Sequence, residues 1–516
     1  MGNYTGNEIT WRNLALASHT EYLSPKDSYV EIPWVQSTES SAEVFKAEAS
    51  VNMLSCIKNG ASGVISQVQV RVGNEPVINY EMMGTIPLHI DFESTQTANS
   101  QDHHAMMQYA KDNNMSLSYH RAGAANKVGL QNSIPDEANV ATGNGLTAAL
   151  PKNDGMLKKL KMIKSTANVW LNENAITTSV HAYVKRVTTK QIAIYYLLRI
   201  PLVNIHSVFK NWPLCKSTQL GLSLQINQSQ TTFDMLNGAI SNINTTTTTS
   251  GVNSQHLNLS AVSAMIVTAL ATTITCNSAV IARGTVPPSA YGNSCTFVAR
   301  LLEFADPYSA QLIQSPKRLI NYEHSEYHLM QNIMPNANFT STVTNSVSRP
   351  IRMIIGFTQQ GTMGMTDAIA NTAFTDVGGN QATPVSNEAS PFCCAPFQTI
   401  MGSASGISGF NCNLGGDPVF PQGNISSTEE LYTIFKNAQC TEGNHDPLST
   451  SGITYEEFCG AFGWIIIPLN TMNEALQSKW NQARDLTVRF RSNHNAVLQA
   501  HCWVMSEEDF SLDIST

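Results

Sequence analysis

Charge is scarce in this chain. Asp, Glu, Lys and Arg make up 13% of its 516 residues, against about 25% in an average globular domain. The polar surface must therefore come from Ser, Thr, Asn and Gln. Disorder is excluded by the rest of the composition, since 42% of residues are hydrophobic and the formal net charge is only -8. Such a chain suits a rigid β-protein whose surfaces rest against neighbours, where unpaired charges would be costly to bury. Lys and Arg number 30 against 38 Asp and Glu, which argues against a dedicated nucleic-acid binder.

Other absences narrow the field. The 10 cysteines form no CxxC pair and keep no regular spacing. Cys393 and Cys394 are adjacent, and sequence neighbours seldom reach disulfide geometry. We read the cysteines as buried, reduced thiols, consistent with synthesis in the cytosol or nucleus. The opening Met1–Thr10 is polar, unlike a signal peptide. Met1-Gly2-Asn3-Tyr4-Thr5-Gly6 resembles a myristoylation signal but has Gly6 where Ser or Thr is needed. The most apolar stretch, Ile192 to Phe209, is interrupted by Arg199, Pro201 and His206, too polar for a membrane span.

Catalytic patterns are missing too. Lys216-Ser217 lacks the preceding glycines of a phosphate-binding loop. Gly402-Ser403-Ala404-Ser405-Gly406 has Ala404 where a nucleophile elbow needs serine. No carboxylate pair stands out as an acid/base couple. His324 and His328 flank Glu326, but on a strand four residues span about 13 Å, too far to share one zinc. We read them as core or surface histidines. Asp102, His103, His104 and His120 are a weaker metal candidate. The reading is a protein that is not an enzyme, with no catalytic residues, cofactor or metal assigned.

What is present is period-two alternation, the mark of half-buried strands. It runs from Ala42 to Val51, and Val64, Val68, Val70 and Val72 continue it until Gly73-Asn74 ends the strand. Strands are predicted again at Ile176 to Val187, Gln191 to Ile200, Leu220 to Ile226 and Thr296 to Phe304. Others follow at Lys317 to Met330 and Ile351 to Phe357. A closing hairpin is predicted from Leu486 to Met505, about Asn493-His494-Asn495. Residues 1–40 carry several aromatics without a sustained period and read as an N-terminal arm. Residues 73–165 and 229–294 read as long loops, the second with the low-complexity run Thr245 to Thr249. Thr358 to Pro396 reads as a further loop. Lys152, Lys158, Lys159, Lys161 and Lys164 form either a solvated edge or a positive rim facing nucleic acid or a symmetry partner. Capping boxes at Ser427…Glu430, Thr454…Glu457 and Thr471…Glu474 mark three helix starts.

The two halves echo each other. Ile200-Pro201-Leu202, Trp212 and the alternating Leu220 to Ile226 correspond to Ile467-Pro468-Leu469, Trp480 and Leu486 to Phe490. Each half then ends on one more apolar strand. This ordered set favours a duplicated β-domain. Its seam is the stretch Leu301 to His324, broken at Asp306-Pro307 and Ser315-Pro316. A fixed angle between the halves would need packing across that seam, for which Tyr308, Leu312 and Ile313 are the candidates. The domains are then 1–40 (arm), 41–305 (first sandwich) and 306–516 (second).

Leu319-Ile320-Asn321-Tyr322, the block Ile200 to Ile226, Thr454-Tyr455-Glu456-Glu457-Phe458 before Trp464 to Leu469, and the closing Leu486 to Asp513 carry a resemblance. With them the chain is similar to the double jelly-roll major capsid proteins of the polinton, polinton-like virus and virophage group of DNA viruses. That resemblance implies an all-β fold with minor helices, two tandem eight-stranded jelly-roll β-sandwiches with long inter-strand loops. It implies a structural role as a capsid protein, in homotrimers that tile an icosahedral capsid. The implied partners are further copies of the chain, together with penton and minor capsid proteins and no specific nucleic-acid sequence. The implied location is the virion, after synthesis in the host cytoplasm and assembly in cytoplasm or nucleus. The competing reading is a β-sandwich attachment or lectin-like protein on a particle surface.

Overall fold

In the computed structural model the described residues are 3–5, 7–14, 21–41, 61–82, 84–95, 182–188, 190–216, 219–226, 229–236, 239–247, 272–281, 294–305, 308, 317–359, 407–420, 423–441, 453–455, 458, 464–470, 479–493 and 497–513. They form two β-sandwiches in tandem, a double jelly roll.

The first half holds β1 (Asn3–Thr5), β2 (Glu8–Leu14), β3 (Glu21–Ser40), β4 (Ile65–Val72), β5 (Glu75–Met82), helix α1 (Thr85–Thr95), β6 (Ala182–Thr188), β7 (Gln191–Pro201), β8 (Leu220–Ile226), β9 (Ser229–Leu236), β10 (Ala239–Thr247), β11 (Thr272–Val280) and β12 (Thr296–Glu303). One sheet runs β1-β2-β8-β4-β5. The other runs β10-β9-β11-β3-β7-β6, with β12 also paired to β3. Gly73 turns the β4–β5 hairpin at φ +60, a conformation that favours glycine.

The second half holds β13 (Lys317–Ile333), β14 (Asn338–Val347), β15 (Pro350–Gln359), β16 (Ile407–Leu414), β17 (Asp417–Pro418), helix α2 (Thr428–Thr441), β18 (Ile465–Pro468), β19 (Arg484–Ser492) and β20 (Leu498–Asp513). Its sheets are β13-β20-β15-β18 and β14-β19-β16-β17, the strand order of a jelly roll. Between them lies one core, in which Ile355, Phe357 and Cys502 from one sheet face Phe410, Val488 and Phe490 from the other. Phe490 stands against Phe357 edge-on at 5.4 Å and lies stacked on Phe410 at 6.1 Å, geometries that aromatic quadrupoles favour.

The sequence echo is a topological one. β7 and β18, the strands ending in Ile-Pro-Leu, border β3 and β15 respectively. β8 and β19 are each the middle strand of a trio, β2-β8-β4 and β14-β19-β16. β12 pairs β3 as β20 pairs β15. The shared chain order therefore gives a common set of paired strands in each half, to which the first half adds β1, β6 and β9 to β11.

Several expectations change. Residues 3–40 are not an arm: β2 and β3 occupy interior positions in the two sheets of the first sandwich. The upper half of β3 buries Gln36, Thr38 and Ser40 in the alternating positions where Val30, Ile32 and Trp34 stand below. Its hydrophobic period therefore fades, although its pairing continues. The Thr-rich stretch after Ser229 is not all loop either. β9, β10 and β11 extend the β3 sheet, with β11 pairing Trp34 to Ser40. The strands flanking Asn493–Asn495 do not pair with each other, because β19 and β20 lie in opposite sheets. The first capping box forms as predicted: Ser427 Oγ accepts from Glu430 N–H at 3.1 Å, and Glu430 Oε2 accepts from Ser427 N–H at 3.4 Å. The strand from Ala42, the lysine cluster, the Asp102–His120 candidate, Cys393-Cys394, Ala404 and the third capping box lie outside the described residues. Cys215, Cys295, Cys412 and Cys502 are buried thiols.

Candidate functional site between the two sandwiches

Tyr308 is 64% exposed, so its ring does not pack across the join as expected. Leu312 and Ile313 lie outside the described residues. Among the described residues the contacts across the seam come from β5, α1 and the turns after β7, set against β13, β15 and β20.

At the centre is Glu81, near the end of β5, with 3% of its side chain exposed. Its Oε2 accepts from His206 Nε2 at 2.8 Å and lies 3.1 Å from His324 Nδ1 on β13. His206 caps the short 3-10 turn Ser207–Lys210, and its Nδ1 accepts from Val208 N–H at 3.1 Å. That bond puts the proton of the neutral ring on Nε2, where it points at Glu81. Burial pushes the Glu81 carboxyl up, but His206 and His324 outweigh it and hold the pKa at about 2. Burial pushes the His324 imidazole down, yet its hydrogen bond to Glu81 and the Glu81 charge raise it above its ordinary value. Gly84 makes room for this arrangement, since a Cβ there would stand 2.6 Å from Glu81 Oε1.

Polar bonds and rings surround this centre. Ser207 Oγ donates to the Glu323 carbonyl at 2.7 Å and accepts from Glu323 N–H at 3.1 Å. Asn211 Nδ2 donates to the Asn321 carbonyl at 2.8 Å. Trp212, the tryptophan of the echo, stacks on Phe209 and reaches Phe510 of β20, 5.5 Å between ring centroids. The His206 ring lies 5.8 Å from Tyr322, whose hydroxyl donates to Glu508 at 2.8 Å.

A second ion pair lies beside the first. Arg352 on β15 forks onto both oxygens of Asp91 in α1 at 2.7 Å each, and reaches Glu323 at 3.3 Å. Its side chain is 6% exposed, so the bidentate geometry offsets a real desolvation cost. α1 also buries Ile86 and Ile90 in the core of the second sandwich. A helix of the first half thus completes the core of the other.

This arrangement can hold two domains at one angle. Its charged groups are turned on one another rather than toward a cleft. Of the histidines weighed as ligands, His324 serves the joint and His328 contacts Glu326 at 3.4 Å. Among the described residues no group of three or more His, Cys, Asp or Glu is arranged to hold a metal, and no helix is long and apolar enough to cross a membrane. Sequence reasoning missed Glu81, His206, Arg352 and Asp91. Glu81 lies 125 residues from His206 and 243 from His324, so no local pattern joins them.

No protein-family model matches the chain, and no curated protein does. Solved structures with a similar course include that of the Sputnik virophage, 12% identical over 100% of this chain and 85% of that one, TM-score 0.48. The mavirus major capsid protein is 9% identical over 100% of this chain and 88% of its own, TM-score 0.44. The Faustovirus major capsid protein is 9% identical over 99% and 88%, TM-score 0.38.

Proposed function

We propose that this protein is a major capsid protein that self-assembles into pseudo-hexagonal homotrimers, which tile an icosahedral shell. The observation that carries the reading is the joint. Two jelly rolls of the same topology stand side by side, fixed by a buried carboxylate between two imidazoles and by the Arg352–Asp91 fork. Three such rigid pairs, related by a threefold axis, present six similar lobes, the outline needed to fill hexagonal positions in a shell. A swinging pair of domains could not tile. The low charge of the chain suits extended contact between copies, where few ions need desolvation.

On this reading the role is structural rather than catalytic, and the protein works in the virion. Its partners are its own copies first, then penton and minor capsid proteins. The test is direct. Purified protein should run as a trimer by light scattering and form sheets or closed shells visible by negative-stain electron microscopy. A monomer at all concentrations, stabilised by added sugars, would overturn this in favour of an attachment protein.

A further inference from the structure

One difference between the two jelly rolls lies at a sheet edge. In the second, β13 covers the outer edge of β20 from Lys317 to Ile333. In the first, β12 stands where β20 stands, but among the described residues it pairs only with β3. The strand equivalent to β13 has no described counterpart. Its chain position would precede β2, where β1 instead folds back on β2 as a hairpin.

The bare edge leaves marks on burial. Ala500 to Met505 of β20 are all buried. On β12, Phe297, Val298 and Leu302 are only half-buried, Ala299 is exposed, and Leu301 is 37% exposed. Arg300 N–H bonds Ser28 Oγ on the β3 side. Successive residues of a strand direct their N–H groups to opposite edges, so Leu301 directs its own outward. Natural proteins blunt open edges with proline, clustered charge or a bulge that twists the edge away. β12 has a bulge between Val298 and Arg300 but no proline, and its charges are Arg300 and Glu303 alone.

We infer that the outer edge of β12 receives one antiparallel strand from a second copy of this chain. β13 is the precedent for the occupant: an extended segment that buries Ile320, Tyr322 and Met330 while pairing along its whole length. The low charge of the chain favours a second copy, since a strand from it brings few ions to desolvate at the edge. The inference rests on the self-assembly reading and names where one contact between copies lies.

Amide hydrogen exchange of the full chain tests it, read on the segment 296–304 in assembled protein and in dilute monomer. The outward amides should be protected at least about tenfold more strongly in the assembled form. Leu301→Pro removes one outward N–H without touching the β3 ladder. It should lower the assembled fraction while circular dichroism and the melting curve stay those of the parent, and if it fails to fold, exchange on the unmodified chain still decides. Fast exchange of β12 within assembled trimers or shells would overturn the edge contact and leave the capsid reading standing. Equal protection in the monomer would mean the chain covers its own edge, and the inference would fail. A chain monomeric at every concentration would sink both.

Discussion

His324 Nδ1 stands 3.1 Å from Glu81 Oε2 across the seam. Each belongs to a different jelly roll, and Glu81 is held as well by His206 of its own half at 2.8 Å. The carboxylate is 3% exposed, so it depends on both imidazoles for solvation. Separating the sandwiches would leave it His206 and take His324 away.

Two titrations bound the stability of this joint. Glu81 has its pKa lowered from 4.5 to about 2. Its contribution is present above 4.5 and is lost as pH falls toward about 2. His324 is raised above 6.5, so its contribution is full below 6.5 and is lost as pH rises through the raised value. The pair therefore stabilises most between 4.5 and 6.5. Thermal melts across that window and on either side should decline both ways. His324→Gln should flatten the alkaline limb and also weaken the acid limb, since His324 helps hold the Glu81 pKa down. An undiminished alkaline decline in that variant would assign the titration elsewhere.

How legible was this in the sequence? Alternation located β8 and β19 closely, because each has one apolar and one polar face, and it located β15 although both faces of that strand are buried. β3 escaped for two physical reasons. Its upper inward positions are polar, and Pro33 interrupts it. Pro33 sits where the partner on one edge changes from β12, which ends opposite Glu31, to β11, which begins opposite Trp34. Its carbonyl accepts from Ile281 N–H on that edge. The N–H it lacks therefore faces the seam between two partners, where a ladder bond is least missed. The internal echo was visible because Ile-Pro-Leu and tryptophan recur in order. The joint was not. Its charged residues are single side chains on five separate elements, brought together only by docking.

Gly84 offers a test of the same centre from the backbone side. Gly84→Ala would place a methyl 2.6 Å from Glu81 Oε1. A flexible exposed glutamate could move away, but this one is fixed by two imidazoles. The substitution should cost about 1–3 kcal/mol, as overpacking does. In a Glu81→Ala background most of that cost should vanish. Chemical denaturation of the four proteins in the cycle measures the coupling, and additive losses would show that Gly84 matters for another reason.

The Arg352–Asp91 fork predicts a different pattern. Arg352→Ala leaves Asp91 and Glu323 facing each other without their cation, and should destabilise by about 3–5 kcal/mol. Asp91→Asn removes the charge but keeps an acceptor for one arm of the fork, so its loss should be smaller. Because α1 buries Ile86 and Ile90 in the second core, breaking the fork should also loosen that helix. Amide exchange should rise across Thr85–Thr95 before it rises in β16 or β19. A uniform rise through both sandwiches would mean the fork supports the whole fold rather than the docking of one helix.

In the second half, Tyr327 and His501 make a part-buried polar pair without charge, on the face of the β13-β20-β15 sheet turned away from β19. The Tyr327 hydroxyl stands 2.8 Å from His501 Nδ1, and the two rings stack at 6.0 Å between centroids. Burial pushes the His501 imidazole down to about 3, so the ring is neutral at every ordinary pH. A neutral ring can accept at Nδ1, and the tyrosine supplies the proton. Tyr327→Phe keeps the ring and the stacking but removes that donor, which should cost about 1–3 kcal/mol. The pKa of His501 is already far below neutrality, so the loss should be the same at pH 6 as at pH 8 (both about three or more units above it). That pH independence separates this pair from Glu81 and His324. Denaturant melts at the two pH values decide it: a loss that grows toward acid would show that His501 takes up a proton once the hydroxyl is gone.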